Sequence, residues 1–393
     1  MPKVSIIMPL YNAEKYVEST IRSILSQSFD DIELIVINDH PTDDTLEIVK
    51  SIQDDRIRIV DNDRNRGIAY SRNHGISVAK GEYIALMDDD DICSLDRLEV
   101  EVEYLDSNPL IGAVGGLMQE INQDSLPITS SVSNGKSSER IRAHLLFNNC
   151  IPNGSMMFRK KILLDNDITF SDNMMGMEDY RFWVEFSSVS NIVILNKVFL
   201  YWRVSDYSET KKAKKHMAEE RKQVYASIVR YSLRTNSFVL SEDDIISLIS
   251  IFGEEIGNVD YSNSTLIEIY NILNNIVGQA KSLDIDFNST AGVCKRKMCE
   301  LVAEYYDNIK IEGLGNDFYS NYSHYFKVDN MINMDMENIF TNDNIAEKIY
   351  KIIEDDRMFL RSIKATYEEK VVIRSKLKNR MLNGMINYKI WRV

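Results

Sequence analysis

The sequence predicts an α/β fold, with a mainly parallel sheet in the first part of the chain and a helical region after it. Up to about residue 110, short apolar runs of strand length alternate with segments whose apolar residues recur at helical spacing. This alternation indicates successive βαβ units, which form a parallel sheet with helices on both faces. Strands and helices are mixed from there to about residue 210, and the remaining pattern is almost wholly helical.

The alternating part contains four predicted strands and four predicted helices. The strands are at 4–8, 33–37, 57–60 and 83–87, and the helices at 13–26, 43–52, 68–79 and 95–105. The mixed part has predicted strands at 112–118, 155–158, 192–195 and 198–204, and helices at 138–147 and 179–186. Ligands of open α/β sheets bind beyond the carboxyl ends of the strands. The polar segments 9–12, 38–43 and 88–91 are therefore where we expect a site.

A chain of 393 residues is expected to hold two domains of ordinary size. The charged stretch 210–215 lies where the mixed pattern gives way to the helical one, so the predicted domains are residues 1–210 and 211–393. Helical periodicity is strong at 217–231, 244–251 and 264–277. No motif in the second domain indicates chemistry, and a role in acceptor binding, oligomerisation or membrane-surface contact is left open.

Composition excludes some classes of function. The formal net charge of −14 argues against a nucleic-acid-binding protein, which needs a basic face. The four cysteines form no CxxC pair, so free thiols and a reducing compartment are expected. No signal peptide and no apolar stretch of about 18 residues is found. We expect a cytoplasmic protein, or one attached to the cytoplasmic face of a membrane.

The C-terminal segment 361–393 is basic, and its apolar residues recur at nearly helical spacing. Such a helix could lie on an anionic membrane surface, with Trp391 at the interface. The alternative, which we favour, is a helix packed on its own domain or on a second subunit. Oligomeric state is left open.

Four adjacent carboxylates, Asp88 to Asp91, follow a strand that reads as buried. Like charges this close repel one another unless a cation is present. Mg²⁺ or Mn²⁺ is typically held by one or two carboxylates together with substrate phosphates, although a solvated acidic turn is the alternative. Asp39 ends another strand and either accepts a hydrogen bond from a nucleobase or stabilises a turn. Tyr11 either stacks on a base or packs.

Five segments, in order, resemble the motifs of family 2 glycosyltransferases of the GT-A type. They are VSIIMPLYN, ELIVINDHPTDDT, NRGIAYSRNHGISVAKGEYIALMDDDD, PNGSMMFRKK and MGMEDYRFW. The resemblance covers about residues 3–205. It implies a GT-A nucleotide-sugar-binding domain that transfers a sugar from a nucleotide-sugar donor and uses Mn²⁺ or Mg²⁺.

The resemblance also implies roles on the donor side. Asp90 matches the metal ligand of a DxD motif, and Asp88 matches a ribose or metal contact. Asp89, within the same motif, is expected in the nucleotide-sugar site. Asp39 matches the carboxylate that usually contacts uracil, which favours a UDP-sugar, although a carboxylate can also pair with guanine. The other residues implied to line this site are Pro9, Tyr11 and Arg72. The alternative for the arginine is a surface ion pair.

On the acceptor side, Glu178 and Asp179 resemble the catalytic acidic pair. Asp179 is the predicted general base, which takes the proton of the attacking acceptor hydroxyl. Glu178 is expected to orient the acceptor or cap the following helix, and the alternative for both is a role as helix N-terminal charges. A single displacement through an oxocarbenium-like state inverts the anomeric configuration.

Two departures from the family pattern bear on the site. His40 and Pro41 stand where Gly and Ser are common, and Val204 and Ser205 stand where many members carry a histidine. The Gln-x-x-Arg-Trp motif of processive members is absent, so addition of one sugar is expected. The acceptor is expected to be a saccharide or a lipid-linked oligosaccharide of bacterial surface polysaccharide or glycoconjugate synthesis.

The alternatives to a glycosyltransferase are a nucleotidyltransferase and a non-catalytic binding or scaffold protein. A nucleotidyltransferase would need an early Gly-rich basic loop, and PLYNAEK is not one. A non-catalytic nucleotide-sugar-binding or scaffold protein would not need both intact acidic motifs.

Overall fold

A computed structural model describes residues 1–128, 135–204, 218–253 and 263–308. The chain divides into two compact units. The first comprises Met1–Asp260 with Asn271–Leu301 and contains the sheet. The second comprises Tyr261–Tyr270 with Val302–Val393, of which only short helical pieces are described. The predicted basic C-terminal helix lies outside the described residues.

The described residues form one mixed, mainly parallel sheet of eight strands, as predicted. The strands are β1 Val4–Leu10, β2 Ile32–Asn38, β3 Ile57–Asp61, β4 Tyr83–Leu86, β5 Ile92–Cys93, β6 Ile111–Ile121, β7 Met156–Arg159 and β8 Asn191–Arg203. Their order is β3-β2-β1-β4-β7-β6-β8-β5. The first four in this order are parallel, β7 is antiparallel to β4 and β6, β8 is parallel to β6, and β5 is antiparallel to β8.

Eleven α-helices and one short 3₁₀ helix, Asn153–Ser155, are described. The α-helices are α1 Val17–Leu25, α2 Thr45–Ser51, α3 Ile68–Val78, α4 Arg97–Ser107, α5 Ser138–Leu145, α6 Lys160–Asn166, α7 Glu178–Val189, α8 Ala218–Thr235, α9 Glu242–Phe252, α10 Asn263–Ala280 and α11 Phe287–Asn308. The sequence pattern predicts neither strand β5 nor helix α6, and it gives no bounds for α11, which lies in the part of the chain predicted to be almost wholly helical. The two predicted closing strands form one strand, β8, because Asn196 and Lys197 lie in a register shift opposite β6 and do not interrupt the pairing.

The core explains the apolar runs of the sequence. Every residue of β2 is buried, as expected for a central parallel strand. The buried face of α1, at Val17 and Ile21, joins the same apolar cluster as β1 and β2. Helix α3 lies close against β1, since a Cβ at Gly75 would be 2.6 Å from the Ile7 side chain. This close packing fixes the helix that carries Arg72.

Helices α8 and α9 belong to the same compact unit as the sheet. The Tyr225 hydroxyl of α8 donates to the Phe147 carbonyl at 2.6 Å, and Phe147 stacks on Phe252 of α9 with ring centroids 4.2 Å apart. The predicted division near residue 210 and the role of residues 211–393 stay predictions. Among the residues described, no helix is long and apolar enough to cross a membrane.

Candidate active site

The carboxyl ends of β1, β2 and β4 meet at one edge of the sheet, as their parallel pairing requires. Tyr11 follows β1, Asp39 follows β2, and Asp88 to Asp91 follow β4. The Tyr11 backbone N–H donates to Asp89 Oδ2 at 2.8 Å, and the Asp39 backbone N–H donates to the Leu10 carbonyl at 3.2 Å. The segments that the sequence singled out therefore form one surface.

The four aspartates have different partners. Asp89 accepts the Tyr11 backbone N–H, and the buried Asp91 accepts the Arg203 backbone N–H at 2.8 Å. Asp88 forms an ion pair with Arg72. The carboxylate of Asp90 accepts a hydrogen bond from its own backbone N–H. Asp89 and Asp91 thus hold the turn in place, and contact between Asp89 and a nucleotide-sugar stays a prediction.

The electrostatics of this turn fit a divalent cation. Burial, and then the charge of Asp88, raise the pKa of Asp90 to about 6, while the charge of Arg203 lowers it. Burial also raises the pKa of Asp89 and Asp91 well above the usual range. The carboxylates of the turn outnumber the positive charges beside them, and their hard oxygen atoms are ligands that suit Mg²⁺ or Mn²⁺. Asp88 and Asp90 would hold the ion. The described residues include no group of three or more ligating side chains, so substrate phosphates and water would complete its coordination.

The turn is fastened by Arg203, for which the sequence predicted no role. Its Nε donates to the Asp90 carbonyl at 2.8 Å, and its Nη1 donates to the carbonyls of Asn122 and Gln123 at 3.0 and 3.1 Å. The guanidinium lies 4.3 Å from the centre of the Tyr16 ring. Arg203 therefore ties the aspartate turn to the segment that follows β6. The sequence places Arg203 at the end of an aromatic-rich predicted strand, but nothing in the sequence indicates that its side chain is buried.

Arg72 lies between the aspartate turn and the start of α7. Its side chain is only 4% exposed. Nη2 donates to Asp88 Oδ1 at 2.8 Å, and Nη1 donates to Glu178 Oε1 at 3.0 Å. The guanidinium also lies 5.3 Å from the centre of the Phe170 ring. The alternative for Arg72 was a surface ion pair. The arginine does form ion pairs, but they are buried and involve two carboxylates. Contact between Arg72 and the nucleotide stays a prediction.

Asp179 lies in the first turn of α7, beside Glu178. Its Oδ1 accepts the Tyr180 backbone N–H at 2.7 Å, and its Oδ2 accepts Asn149 Nδ2 at 2.9 Å. Burial, and then the charge of Glu178, raise the pKa of Asp179 to about 7, whereas Arg72 lowers it. A carboxyl group whose pKa lies near neutrality suits general base catalysis. The sequence found the carboxylate but not its amide partner.

Asp39 is buried and holds the loop that leads into α3. Its Oδ1 accepts Asn62 Nδ2 and the Arg66 backbone N–H, both at 2.7 Å, and its Oδ2 accepts the Gly67 backbone N–H at 2.9 Å. Gly67 has a φ of 82°, which glycine adopts without strain. Contact between Asp39 and a nucleobase stays a prediction. Asn62 orients Asp39, but sequence reasoning did not identify it, because a single polar residue after a strand belongs to no periodic pattern.

The other residues around this pocket are arranged as follows. Tyr11 is 42% exposed and is free to stack on a planar group, while Pro9 is half-buried in β1. His40 has a φ of 57°, and its Nε2 hydrogen-bonds the Asn62 carbonyl at 2.8 Å, so this ring is engaged with the backbone.

Known proteins resemble this chain in both sequence and fold. The family model described as "Glycosyl transferase family 2" matches residues 5–166. An uncharacterized glycosyltransferase of Haemophilus influenzae is 30% identical over 277 residues, which are 68% of this chain and 84% of the relative. The Escherichia coli enzyme WfgD, named as a UDP-Glc:alpha-D-GlcNAc-diphosphoundecaprenol beta-1,3-glucosyltransferase, is 30% identical over 197 residues, which are 50% of this chain and 74% of WfgD.

A solved structure extends the similarity to the fold. S. aureus TarS 1–349, in complex with UDP-GlcNAc, superposes with a TM-score of 0.53 at 18% identity, covering 84% of this chain and 89% of TarS 1–349. At this identity the likeness concerns the fold alone, which is of the GT-A type.

Proposed function

The chain belongs to glycosyl transferase family 2 and is a glycosyltransferase, and from this premise we propose that it moves one sugar from a UDP-sugar to a hydroxyl of a saccharide or lipid-linked acceptor, with inversion. We further propose that this step serves bacterial surface polysaccharide or glycoconjugate synthesis. A lipid-linked acceptor would place the reaction at the cytoplasmic face of the membrane.

One observation supports the proposal above all others. Arg72 bridges Asp88, on the aspartate turn, and Glu178, on the helix of the proposed base, with bonds of 2.8 and 3.0 Å. A donor held at the turn and an acceptor held at α7 would therefore share one site. WfgD is named for a UDP-Glc donor and a diphosphoundecaprenol acceptor, and TarS was crystallised with UDP-GlcNAc. Both support this class of donor, and the first supports a lipid-linked acceptor.

The contacts of Asp39 also favour uracil. Oδ1 already accepts two hydrogen bonds, and Oδ2 accepts one from the described residues. A carboxylate oxygen can accept two, so Oδ2 retains capacity for one more donor. Uracil presents a single ring N–H, whereas guanine presents two adjacent donors that would need both oxygens. The saturation of Oδ1 therefore supports UDP over GDP.

The reaction then proceeds from the residues of the site. Asp179 accepts the proton of the acceptor hydroxyl while the oxygen of that hydroxyl forms a bond to the anomeric carbon. The bond from that carbon to the nucleoside diphosphate breaks on the opposite face, so an α-linked donor gives a β-linked product. When bound at Asp88 and Asp90, a divalent cation would act as a Lewis acid for the charge that develops on the diphosphate. Arg72 holds Asp88 and Glu178 in place throughout.

The proposal is tested by transfer to a defined acceptor. Purified protein is incubated with UDP-glucose, UDP-GlcNAc or UDP-galactose and a GlcNAc-diphospho-lipid, with Mn²⁺ or with EDTA, and UDP release is measured. We expect metal-dependent UDP release with one donor and a β-linked product by NMR, while GDP-mannose and a CMP-sugar serve as controls. An α-linked product would contradict inversion. Release of no nucleotide from any donor would favour the non-catalytic alternative.

A further inference from the structure

The side-chain amide of Asn149 contacts the proposed base in a fixed orientation. Its Oδ1 accepts the Ile151 backbone N–H at 3.0 Å, and its Nδ2 donates to Asp179 Oδ2 at 2.9 Å. A backbone N–H can only donate, so the amide oxygen must face Ile151 and the amide nitrogen must face the carboxylate. The two bonds thus define both the rotamer and the flip of Asn149.

We propose that Asn149 is a positioning residue that holds Asp179 in the orientation needed to accept the acceptor proton, an inference that rests on the proposed function. The Tyr180 backbone N–H binds Oδ1 and Asn149 binds Oδ2, so the carboxylate cannot rotate without losing a hydrogen bond. Each oxygen retains a second lone pair, and that of Oδ2 remains available for the acceptor hydroxyl.

The loop that carries Asn149 is itself held from two helices. The Tyr180 hydroxyl of α7 donates to the Leu145 carbonyl at 3.1 Å, and the Ser232 hydroxyl of α8 donates to the same carbonyl at 2.8 Å. The Tyr225 hydroxyl of α8 donates to the Phe147 carbonyl two residues before Asn149. All three side chains are buried. Helix α8 therefore supports the loop from which Asn149 reaches the proposed base.

The hydrogen bond from Asn149 should also favour the charged form of Asp179. The charged groups that act on this carboxylate are Glu178 and Asp88, which disfavour ionisation, and Arg72, which favours it. A hydrogen bond donated to a carboxylate favours its ionised form. Asn149 thus opposes the effect of burial and Glu178, and loss of its amide should raise the pKa of Asp179.

The first test is the pH profile of turnover. In Asn149→Ala we expect the apparent pKa for turnover to rise by about one pH unit, the effect of one hydrogen bond to a charged group. At about pH 7 this lowers kcat roughly fivefold, with the KM for the UDP-sugar unchanged. Asn148→Ala is the matched control, because the Asn148 side chain has no hydrogen bond among the described residues. An unchanged pH profile in Asn149→Ala would overturn the proposal.

The second test needs no turnover. The pKa of Asp179 in the folded protein, about 7, exceeds the ordinary aspartate value of 3.8, so between these two pH values the folded state binds more protons than the unfolded state and stability falls as pH rises. In Asn149→Ala the pKa of Asp179 should be higher, so the fall in stability should continue to higher pH. The decrease in Tm caused by the substitution should therefore be larger at about pH 8 than at about pH 5. In the Asp179→Asn background this pH-dependent part should vanish. An equal loss at both pH values, or one that persists in that background, would overturn the proposal.

The same variants separate this inference from the proposed function. Full turnover by Asp179→Asn would refute the role of Asp179 as base. The pH-dependent stability cycle would still report whether Asn149 acts through Asp179.

Discussion

Replacing Asp179 with Asn is expected to lower kcat by about 10²- to 10⁴-fold, the usual contribution of a general base. The amide has nearly the same shape and can still meet the Tyr180 backbone N–H through its oxygen, but it cannot accept the acceptor proton. Binding of UDP and Mn²⁺ should be retained, because the proposed donor site lies at the aspartate turn. The measurements are steady-state kinetics of UDP release and the affinity for UDP.

The pH profile sharpens this prediction. Because the pKa of Asp179 is raised to about 7, the ionised base accumulates as pH rises through that value, and kcat should rise with it. Asp179→Asn should lose this limb of the profile. Glu185→Gln, two turns further along α7, is the control and should keep both rate and profile. A rate in Asp179→Asn within a few-fold of the native value would assign the base to another group.

Replacing Arg72 with Met is expected to lower the free energy of unfolding by about 3 kcal/mol, because it removes the cation shared by two carboxylates. The partners Asp88 and Glu178 have side chains 34% and 11% exposed, so Glu178 suffers the greater loss. The same variant should lose most of its activity, since the aspartate turn and the start of α7 are no longer tied together. Urea unfolding measures the first effect and UDP release the second.

Arg22→Met is the control, since Arg22 is 65% exposed in its pair with Glu18 and surface pairs contribute about 0–1 kcal/mol. Combining Arg72→Met with Glu178→Gln should restore part of the stability. A loss equal to that of Arg22→Met would show that the buried pairs have no net effect.

The fold could be predicted from the sequence because its signals are local. Apolar runs bounded by polar turns marked β1, β2 and β4, and their parallel order brought Asp39 and Asp88 to one edge. Strand β5 was missed because Ile92 and Cys93 are too few to show periodicity. Strand β8 was divided in two because a bulge at polar residues looks like a turn in sequence.

The site could be predicted only where a motif lies within one segment. The acidic residues of the turn and of α7 are adjacent in sequence, so their type and spacing are informative. Arg72 meets Glu178 across 106 positions of the chain, and Asn149 meets Asp179 across 30. Contacts of this kind follow from packing of the whole fold, and a lone polar residue in a loop has no pattern that identifies its partner.

The most direct test of the central claim, that the aspartate turn binds a metal–nucleotide complex, is a thermal-shift measurement with UDP, with and without Mn²⁺, on the native protein and on Asp90→Ala. A ligand selective for the folded state raises Tm by mass action. Asp90→Ala should fold normally, since the Asp90 carboxylate accepts its own backbone N–H, and since burial and the charge of Asp88 disfavour its ionised form. We predict a Mn²⁺-dependent rise with UDP, smaller with GDP and CMP, that is lost in Asp90→Ala. No rise with UDP, or an equal rise without metal or in the variant, would contradict the account.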